Sequence, residues 1–273
     1  MAAIDDVPVV QLDVADAAAA LMLSTEAHWN QNEDDWRFFL REGVVFGVRD
    51  NARLVATAAL LPYSGNNAWI SMVLVTASHR RRGLATRLVD ACLETARKRG
   101  LTSWLDATPD GAAVYGPLGF TPTLQLRRLK LEKSSQGAAP PPAPATLDAL
   151  CARDKRATGF DRTALLTAFA QRSGSRIAAA NGSIALVRDG RTARHIGPLF
   201  ANDAATALTL VDAIARSESG PLLIDAVASQ KEFLQGLTTA GWTTERPFQR
   251  MRFGPATKVG NETPFAVAGP EFG

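Results

Sequence analysis

The chain is poor in the residues that build metal centres and covalent frameworks. Its 273 residues include two cysteines, Cys92 and Cys151, and three histidines, His28, His79 and His195. Two cysteines do not make a disulfide framework, and the histidines show no metal-ligand spacing with them, so no metal is expected. Long hydrophobic runs are lacking as well. The apolar stretch Ala17–Leu23 is too short to cross a bilayer, and it follows Asp5, Asp6, Asp13 and Asp16 rather than the basic start of a signal peptide. The expectation is a cytoplasmic protein with no membrane partner. Net charge is small, at +3 with a pI near 9.1, which permits an anionic ligand without demanding nucleic acid. The basic run His79–Arg82 lacks the interleaved aromatics that stack bases, so nucleic acid is not expected as a partner either.

What is present divides the chain in two. The length exceeds one typical domain, and 46% hydrophobic residues suffice for ordinary cores. The stretch SSQGAAPPPAPAT, Ser134–Thr146, has no periodicity and reads as a linker stiffened by its prolines. The expected organisation is a first unit over 1–133, the linker over 134–146, a second unit over 147–254, and a glycine- and proline-punctuated tail over 255–273. In the first unit the pattern predicts a strand at Val7–Leu12 and helices at Ala15–Trp29 and Glu33–Arg41. Strands follow at Val44–Val48, Leu54–Leu61, Trp69–Val75, Ser103–Ala107 and Phe120–Leu131, with helices from Gly83 to Gly100 and over Gly111–Leu118. A mixed sheet with helices on both faces is the simplest α/β arrangement.

The stretch Trp69–Gly100 carries the chemistry. A buried strand feeds a basic loop, Thr76–Arg82, and then a long helix that ends on Arg97, Lys98 and Arg99, residues suited to the negative end of a helix dipole. The first N–H groups of such a helix have no intrahelical partner, so the arrangement reads as an anion cradle suited to a pyrophosphate.

Two motifs make the first unit resemble the GNAT superfamily of acetyl-CoA-dependent N-acetyltransferases. The loop Arg80-Arg81-Arg82-Gly83-Leu84-Ala85 is similar to that family's cofactor motif. Tyr115-Gly116-Pro117-Leu118-Gly119-Phe120 is similar to its tyrosine before a Gly-Phe strand start. The resemblance covers about residues 5–133 and implies several roles. Arg80, Arg81, Arg82, Gly83, Leu84, Ala85 and Thr86 would hold the pyrophosphate of acetyl-CoA as cosubstrate. The backbone of Val73, Leu74 and Val75 would pair with pantetheine. Tyr115 would be the general acid at the thiolate. For the general base, Glu26 and Asp106 rank first. The segment Trp29-Asn30-Gln31 is positioned to border the acceptor pocket, since a tryptophan wall and two amides can orient a ligand.

The second unit repeats this grammar in shortened form and resembles the C-terminal domain of tandem GNAT proteins. Each domain is then expected to be a mixed, mostly antiparallel sheet flanked by helices. The first helix of the second unit is expected at Asp161–Arg172, with strands at Arg176–Ala180, Ser183–Arg188 and Thr192–Phe200. A helix at Asp203–Ser217, a strand at Leu222–Ala226, a helix at Gln230–Ala240 and a strand at Glu245–Phe253 complete it. It departs where the cofactor motif would stand. Between Phe200 and the helix there is no basic residue, Asn202 and Asp203 read as helix caps, and no tyrosine precedes Gly241 at the acid position. The second unit is therefore expected to be non-catalytic, with Asp225 and Arg250 read as structural support ahead of substrate contacts. The implied activity is acetyl transfer by direct attack of a primary amine. A small-molecule acceptor is favoured over a protein lysine or N-terminus, in a monomer or homodimer. A non-catalytic acyl-CoA-binding or sensing module is the alternative.

Overall fold

The computed structural model describes residues 7–133, 137, 140–255 and 260–273. The first half contributes β1 (Val9–Gln11), α1 (Ala17–Glu26), α2 (Glu33–Glu42), β2 (Val44–Asp50), β3 (Arg53–Tyr63) and β4 (Asn67–Val75). It continues with α3 (Leu84–Lys98), β5 (Thr102–Ala107), α4 (Pro109–Tyr115) and β6 (Thr121–Leu131). The second half contributes β7 (Ala143–Pro144), α5 (Leu147–Thr158), α6 (Thr163–Ala170), β8 (Arg176–Ala180), β9 (Ser183–Arg188) and β10 (Arg194–Phe200). Then come α7 (Ala204–Ser217), β11 (Leu222–Val227), α8 (Lys231–Thr239) and β12 (Thr243–Phe253).

Several boundaries differ from the sequence reading, and three of the differences have a clear local reason. Helix α1 stops at Glu26 rather than Trp29, because His28 adopts φ 58° and the Trp29 amide turns back to the Ser24 carbonyl at 2.9 Å. Helix α5, unexpected from sequence, starts at the end of the expected linker, where the Thr146 hydroxyl accepts from the Ala149 amide at 3.2 Å as an N-cap. Within that linker, 134–136 and 138–139 lie outside the described residues, whereas Ala143 and Pro144 add an edge strand to β8, a position that tolerates proline's missing donor.

All twelve strands form one sheet in the order β1-β2-β3-β4-β5-β12-β6-β11-β10-β9-β8-β7. The last strand of each half is therefore exchanged. β12 lies against β5 of the first half, with Arg250 opposite Asp106, and β6 lies against β11 of the second, with Arg128 opposite Asp225. Both opposed pairs close as buried, two-pronged ion pairs. Arg250 Nε and Nη2 reach Asp106 at 2.9 and 2.8 Å, and Arg128 Nε and Nη2 reach Asp225 at 2.8 and 2.8 Å. His195 Nε2 adds a contact to Asp225 at 2.8 Å. Burial disfavours the Asp225 charge, but Arg128 and His195 override it and hold that carboxyl well below its ordinary range. Arg250 and Asp225 thus serve as structural supports. The units expected at 1–133 and 147–254 share one sheet.

The cores follow the same exchange. One sheet face carries α3 and α4 in the first half, with α7 and α8 in the second. On the other face, α1 and α2 of the first half pack with α5 and α6 of the second in a single cluster containing Trp36, Phe39, Leu165, Leu166 and Phe169. Phe272 completes that cluster. It is fully buried, lies parallel to Phe39 at 4.8 Å and meets Phe169 edge-on at 4.9 Å. The segment expected to be a tail is thus interior from Phe265 onward. Its glycines and prolines shape an irregular backbone, and Phe265, Ala266, Val267, Ala268 and Phe272 supply core surface.

Truncating Asp225 to Ala leaves Arg128 and His195 buried beside a lost charge, and a penalty of about 3–5 kcal/mol is expected for such an unpaired buried ion. Urea unfolding of the full chain should show that loss in one cooperative transition for both halves. Two separate transitions would contradict the shared sheet.

Candidate active site

Strands β4 and β5 run parallel and pair over three residues, Asn67 with Thr102, Ala68 with Ser103 and Trp69 with Trp104. Past Trp69 they part. A bulge in β4 accompanies the divergence. Met72 takes φ 51°, the β3 register shifts between Thr57 and Ala59, and the Thr57 hydroxyl donates to the Met72 carbonyl at 2.9 Å. The Thr76 amide bonds back to Val55 in β3 at 2.9 Å. Alternation along the strand therefore turns the backbone of Val75 and Val73 toward the gap and that of Leu74 toward β3. Leu74 also buries its side chain in the core. Of the three residues expected to pair with a ligand backbone, Val73 and Val75 face the gap and Leu74 does not, and the Val75 carbonyl accepts from Arg80 Nε at 3.2 Å.

Beyond Val75 the chain makes one helical turn, Ala77–His79, and enters α3 through Gly83. Arg81 at φ 60° and Gly83 at φ 72° set the loop's path. A Cβ on Gly83 would meet nothing within 4 Å, so glycine is required here by its left-handed backbone, and the space before the helix end is open. No side chain caps α3. Its first N–H groups are left to the space before the helix, with Leu84 buried beneath and Arg80, Arg81, Arg82 and Thr86 exposed around them. An open strand edge ending in an uncapped helix N-terminus fits a pantetheine chain that carries a pyrophosphate.

A cavity of about 110 Å³ opens from the gap, and its lining includes Ser71, Asp106, Thr108 and Tyr115 together with Trp29, Gln31, Arg128, Arg246, Phe248 and Glu271. Tyr115, the last residue of α4, packs against Phe120 at 5.8 Å. Burial, with a smaller contribution from Cys92, pushes its hydroxyl up to about 12, so it remains a proton donor at neutral pH. Asp106 lines the cavity, but both its oxygens are held by Arg250. Burial raises its carboxyl against the pull of Arg250, yet with both oxygens engaged it is poorly placed to take a proton from an amine.

Glu26 lies outside the cavity. Its carboxylate accepts from the Ala77 amide at 2.7 Å and from the Thr76 hydroxyl at 2.9 and 2.7 Å, and these bonds lower its pKa. Its role here is to anchor the cradle loop. Trp29 and Gln31 line the cavity as expected from their turn, whereas Asn30 points away. Asn30 Oδ1 accepts from the Thr192 amide, the Thr192 hydroxyl and the Ala193 amide at 2.9, 2.8 and 3.0 Å, and its Nδ2 donates to the Ala193 carbonyl at 2.9 Å. It is a tie between the halves, saturated by partners about 160 positions away that the local sequence could not announce. The sequence reading also missed Ser71, Arg128, Arg246, Phe248 and Glu271. The turn chemistry of Ala-Gly-Pro-Glu-Phe-Gly was the available signal for the last of these, and it was read as a tail. Among the described residues no cluster of three or more His, Cys, Asp or Glu could hold a metal ion.

The second half has the same framework with both features closed. β10 and β11 pair in parallel through Ile196 and Ile224 and then part, and Phe265–Val267 fills the gap as an added strand. The Leu199 amide donates to the Ala266 carbonyl at 3.0 Å and the Phe265 amide to the Leu199 carbonyl at 2.9 Å, while the Val227 amide donates to Phe265 at 3.0 Å and the Val267 amide to Asp225 at 3.0 Å. Helix α7 is capped by Asp203, whose carboxylate accepts from the Thr206 amide at 2.8 Å.

Comparison with known proteins fits this geometry. Residues 14–120 match the family model for the acetyltransferase (GNAT) family, and residues 150–266 match that for an acetyltransferase (GNAT) domain. The uncharacterized N-acetyltransferase YitH of Bacillus subtilis (strain 168) is 24% identical over 85% of this chain and 86% of its own. The fold is that of an acetyltransferase crystal structure from Pyrococcus horikoshii, with TM-score 0.82 and 19% identity over 97% of this chain and 95% of that one. A tandem GNAT protein from the clavulanic acid biosynthesis pathway shares it at TM-score 0.63 and 16% identity, covering 92% of this chain and 100% of that one.

The Glu26 anchor has a pH signature. A depressed carboxylate keeps its loop contacts above the ordinary glutamate value of about 4.3 and loses them only as pH falls through its lower folded value. In ¹⁵N spectra the Ala77 amide should titrate with a midpoint below that ordinary value, and Glu26→Gln should abolish the transition. A midpoint at or above the ordinary value would show that the anchor is not made.

Proposed function

The chain belongs to the GNAT acetyltransferase family as a tandem of two such domains and is an acyltransferase, and from that premise we propose that it moves an acetyl group from acetyl-CoA to the primary amine of a small molecule by direct attack. The observation that carries this reading is the convergence of three features on one gap. These are the open edge of β4, the uncapped α3 N-terminus and the Tyr115 side chain lining the cavity between them.

In this reading the amides of Arg81 through Thr86, the arginines around them and the helix end hold the pyrophosphate. The Val73 and Val75 backbones hold pantetheine, and a freed β4 amide beside the bulge polarises the thioester carbonyl. The acetyl-CoA supplies an activated carbonyl and a thiolate leaving group. As the amine nitrogen bonds to the carbonyl carbon and the carbon–sulfur bond breaks, Tyr115 donates its proton at sulfur, and the proton shed by the new amide nitrogen restores the phenol. A cavity of about 110 Å³ walled by both halves favours a small amine. The filled slot and capped helix of the second half favour one cosubstrate site per chain, with the second half supporting and walling the first.

Calorimetric titration with acetyl-CoA should give a stoichiometry of one per chain. Tyr115→Phe should retain that binding and lower kcat by about 10²-fold, the usual contribution of a positioned acid. A stoichiometry of two would contradict the plugged slot. Full kcat in the Phe variant at every pH would end the acid role. Binding without thiol release for any amine would mark a sensor instead of an enzyme.

A further inference from the structure

The acceptor end of the cavity contains polar atoms without partners and charges of both signs. Gln31 is 3% exposed and Ser71 is 9% exposed, and neither Gln31 Oε1 nor Ser71 Oγ has a hydrogen-bond partner among the described residues. Both line the cavity, and both can accept from an ammonium. Glu271 reaches the same space from the C-terminal segment. Among the described residues its one ion-pair contact is Arg188 Nη2 on β9 at 3.5 Å, and that guanidinium also faces Asp35 of α2 at 3.5 Å. Of the carboxylates that line the cavity, Asp106 has both oxygens bound to Arg250, so Glu271 is the one with lone pairs to spare.

The same lining carries a cation. Arg246 of β12 is half-buried and lines the cavity, and among the described residues no carboxylate lies within ion-pair distance of it. Its neighbour Arg128 is committed to Asp225 through two bonds. Burial and then the Arg128 charge disfavour the charge on Arg246, and Glu245 and Asp225 offset them only in part, so an incoming anion would be stabilised there.

We infer that the acceptor is a small amine that also carries an anionic group, its ammonium seated against Glu271, Gln31 and Ser71 and its anion against Arg246. Glu271 is then the proton acceptor. It takes one proton from the ammonium, and the freed amine forms the carbon–nitrogen bond as the carbon–sulfur bond breaks. The thiolate leaves with the proton of Tyr115, and the second proton of the new amide nitrogen passes to the Tyr115 phenolate, so that the one proton held by Glu271 is released to water. This inference rests on the acetyl-transfer reading and adds to it the acceptor class and the base.

The test is thiol release by the full chain with acetyl-CoA and matched acceptors: an α-amino acid, its amide, the decarboxylated amine and an aminoalkyl phosphate. An acidic acceptor should exceed its neutral partner in kcat/KM by roughly 10- to 100-fold, the value of one charge-assisted contact. The carboxylate and phosphate arms separate the two anion classes. Arg246→Gln should shrink that preference by a similar factor. Glu271→Gln, with acetyl-CoA binding retained as proof of folding, should lower kcat/KM by about 10²-fold for an amine protonated at the assay pH and by much less for an alkoxyamine that is already neutral. Equal rates for acidic and neutral amines, or a preference unmoved by Arg246→Gln, would overturn the acceptor class. Equal losses on both amines in Glu271→Gln would overturn the proton-acceptor role. Acetyl-CoA binding with no thiol release from any amine would remove the acetyl-transfer reading itself, a separate outcome.

Discussion

Each exchanged strand carries an arginine that closes on an aspartate of the opposite half, and the architecture depends on this crossing. Arg250 on β12 meets Asp106 on β5, and Arg128 on β6 meets Asp225 on β11, with both aspartates fully buried. A buried ion pair is weak evidence of added stability, because desolvation offsets the attraction, but leaving one member alone is costly. The pairs therefore act as register marks. A slip of one residue would turn each arginine to the wrong face of the sheet and strand its aspartate. The crossing also shapes the candidate site. β12 holds β5 over Ser103–Ala107 from its far side, so β5 keeps its ladder while its near side is free to diverge from β4.

The two halves share a framework and differ in what closes it. Both have a parallel strand pair that splits after three residues and a long helix that starts beyond the split. In the first half the split is open and the helix begins on glycine without a cap. In the second, Phe265–Val267 satisfies the free strand edges and Asp203 satisfies the helix amides. The local physics explains each closure. Free backbone donors and acceptors away from water need partners, and a peptide strand or a carboxylate cap provides them as well as a ligand would. A half that had lost its ligand would be expected to gain such internal replacements.

Features resting on contiguous residues were legible in the sequence. The strand, loop and helix of Trp69–Gly100 show their type through periodicity and one glycine, and Tyr115 sits at a fixed short distance from a Gly-Phe turn. Asp203 reads correctly as a cap because capping is decided within three residues. What failed depended on distant partners. Asn30 looked like a ligand for a substrate, but its hydrogen bonds go to Thr192 and Ala193. Glu26 looked like a base, but it bonds to Thr76 and Ala77 across the fold. Strand exchange leaves no mark on alternation, since β6 and β12 would show the same pattern beside any neighbour. The last nine residues were the largest miss. Glycine and proline lower regularity without lowering burial, and an irregular buried segment has no period to detect.

That same segment joins the two divergent sites. Phe265–Val267 lies in the slot of the second half, Phe272 lies between Phe39 and Phe169 in the shared core, and Glu271 lies at the cavity of the first half. Ordering nine residues costs about 1–2 kcal/mol of backbone entropy each, so their placement must be supported along the whole length, and it is. The Trp69 indole donates to the Pro270 carbonyl at 3.0 Å and the Tyr63 hydroxyl to the Phe272 carbonyl at 2.8 Å. A turn returns the Phe272 and Gly273 amides to Gly269 at 2.9 and 3.0 Å. Arg162, itself bound to Asp154, reaches the Phe272 carbonyl at 3.1 Å and also contacts the Gly273 carbonyl. Glu271 therefore sits on a backbone fixed on both sides, the condition for a group that must hold a geometry within a fraction of an ångström. In this fold the segment that closes one site is rigid enough to furnish part of the other.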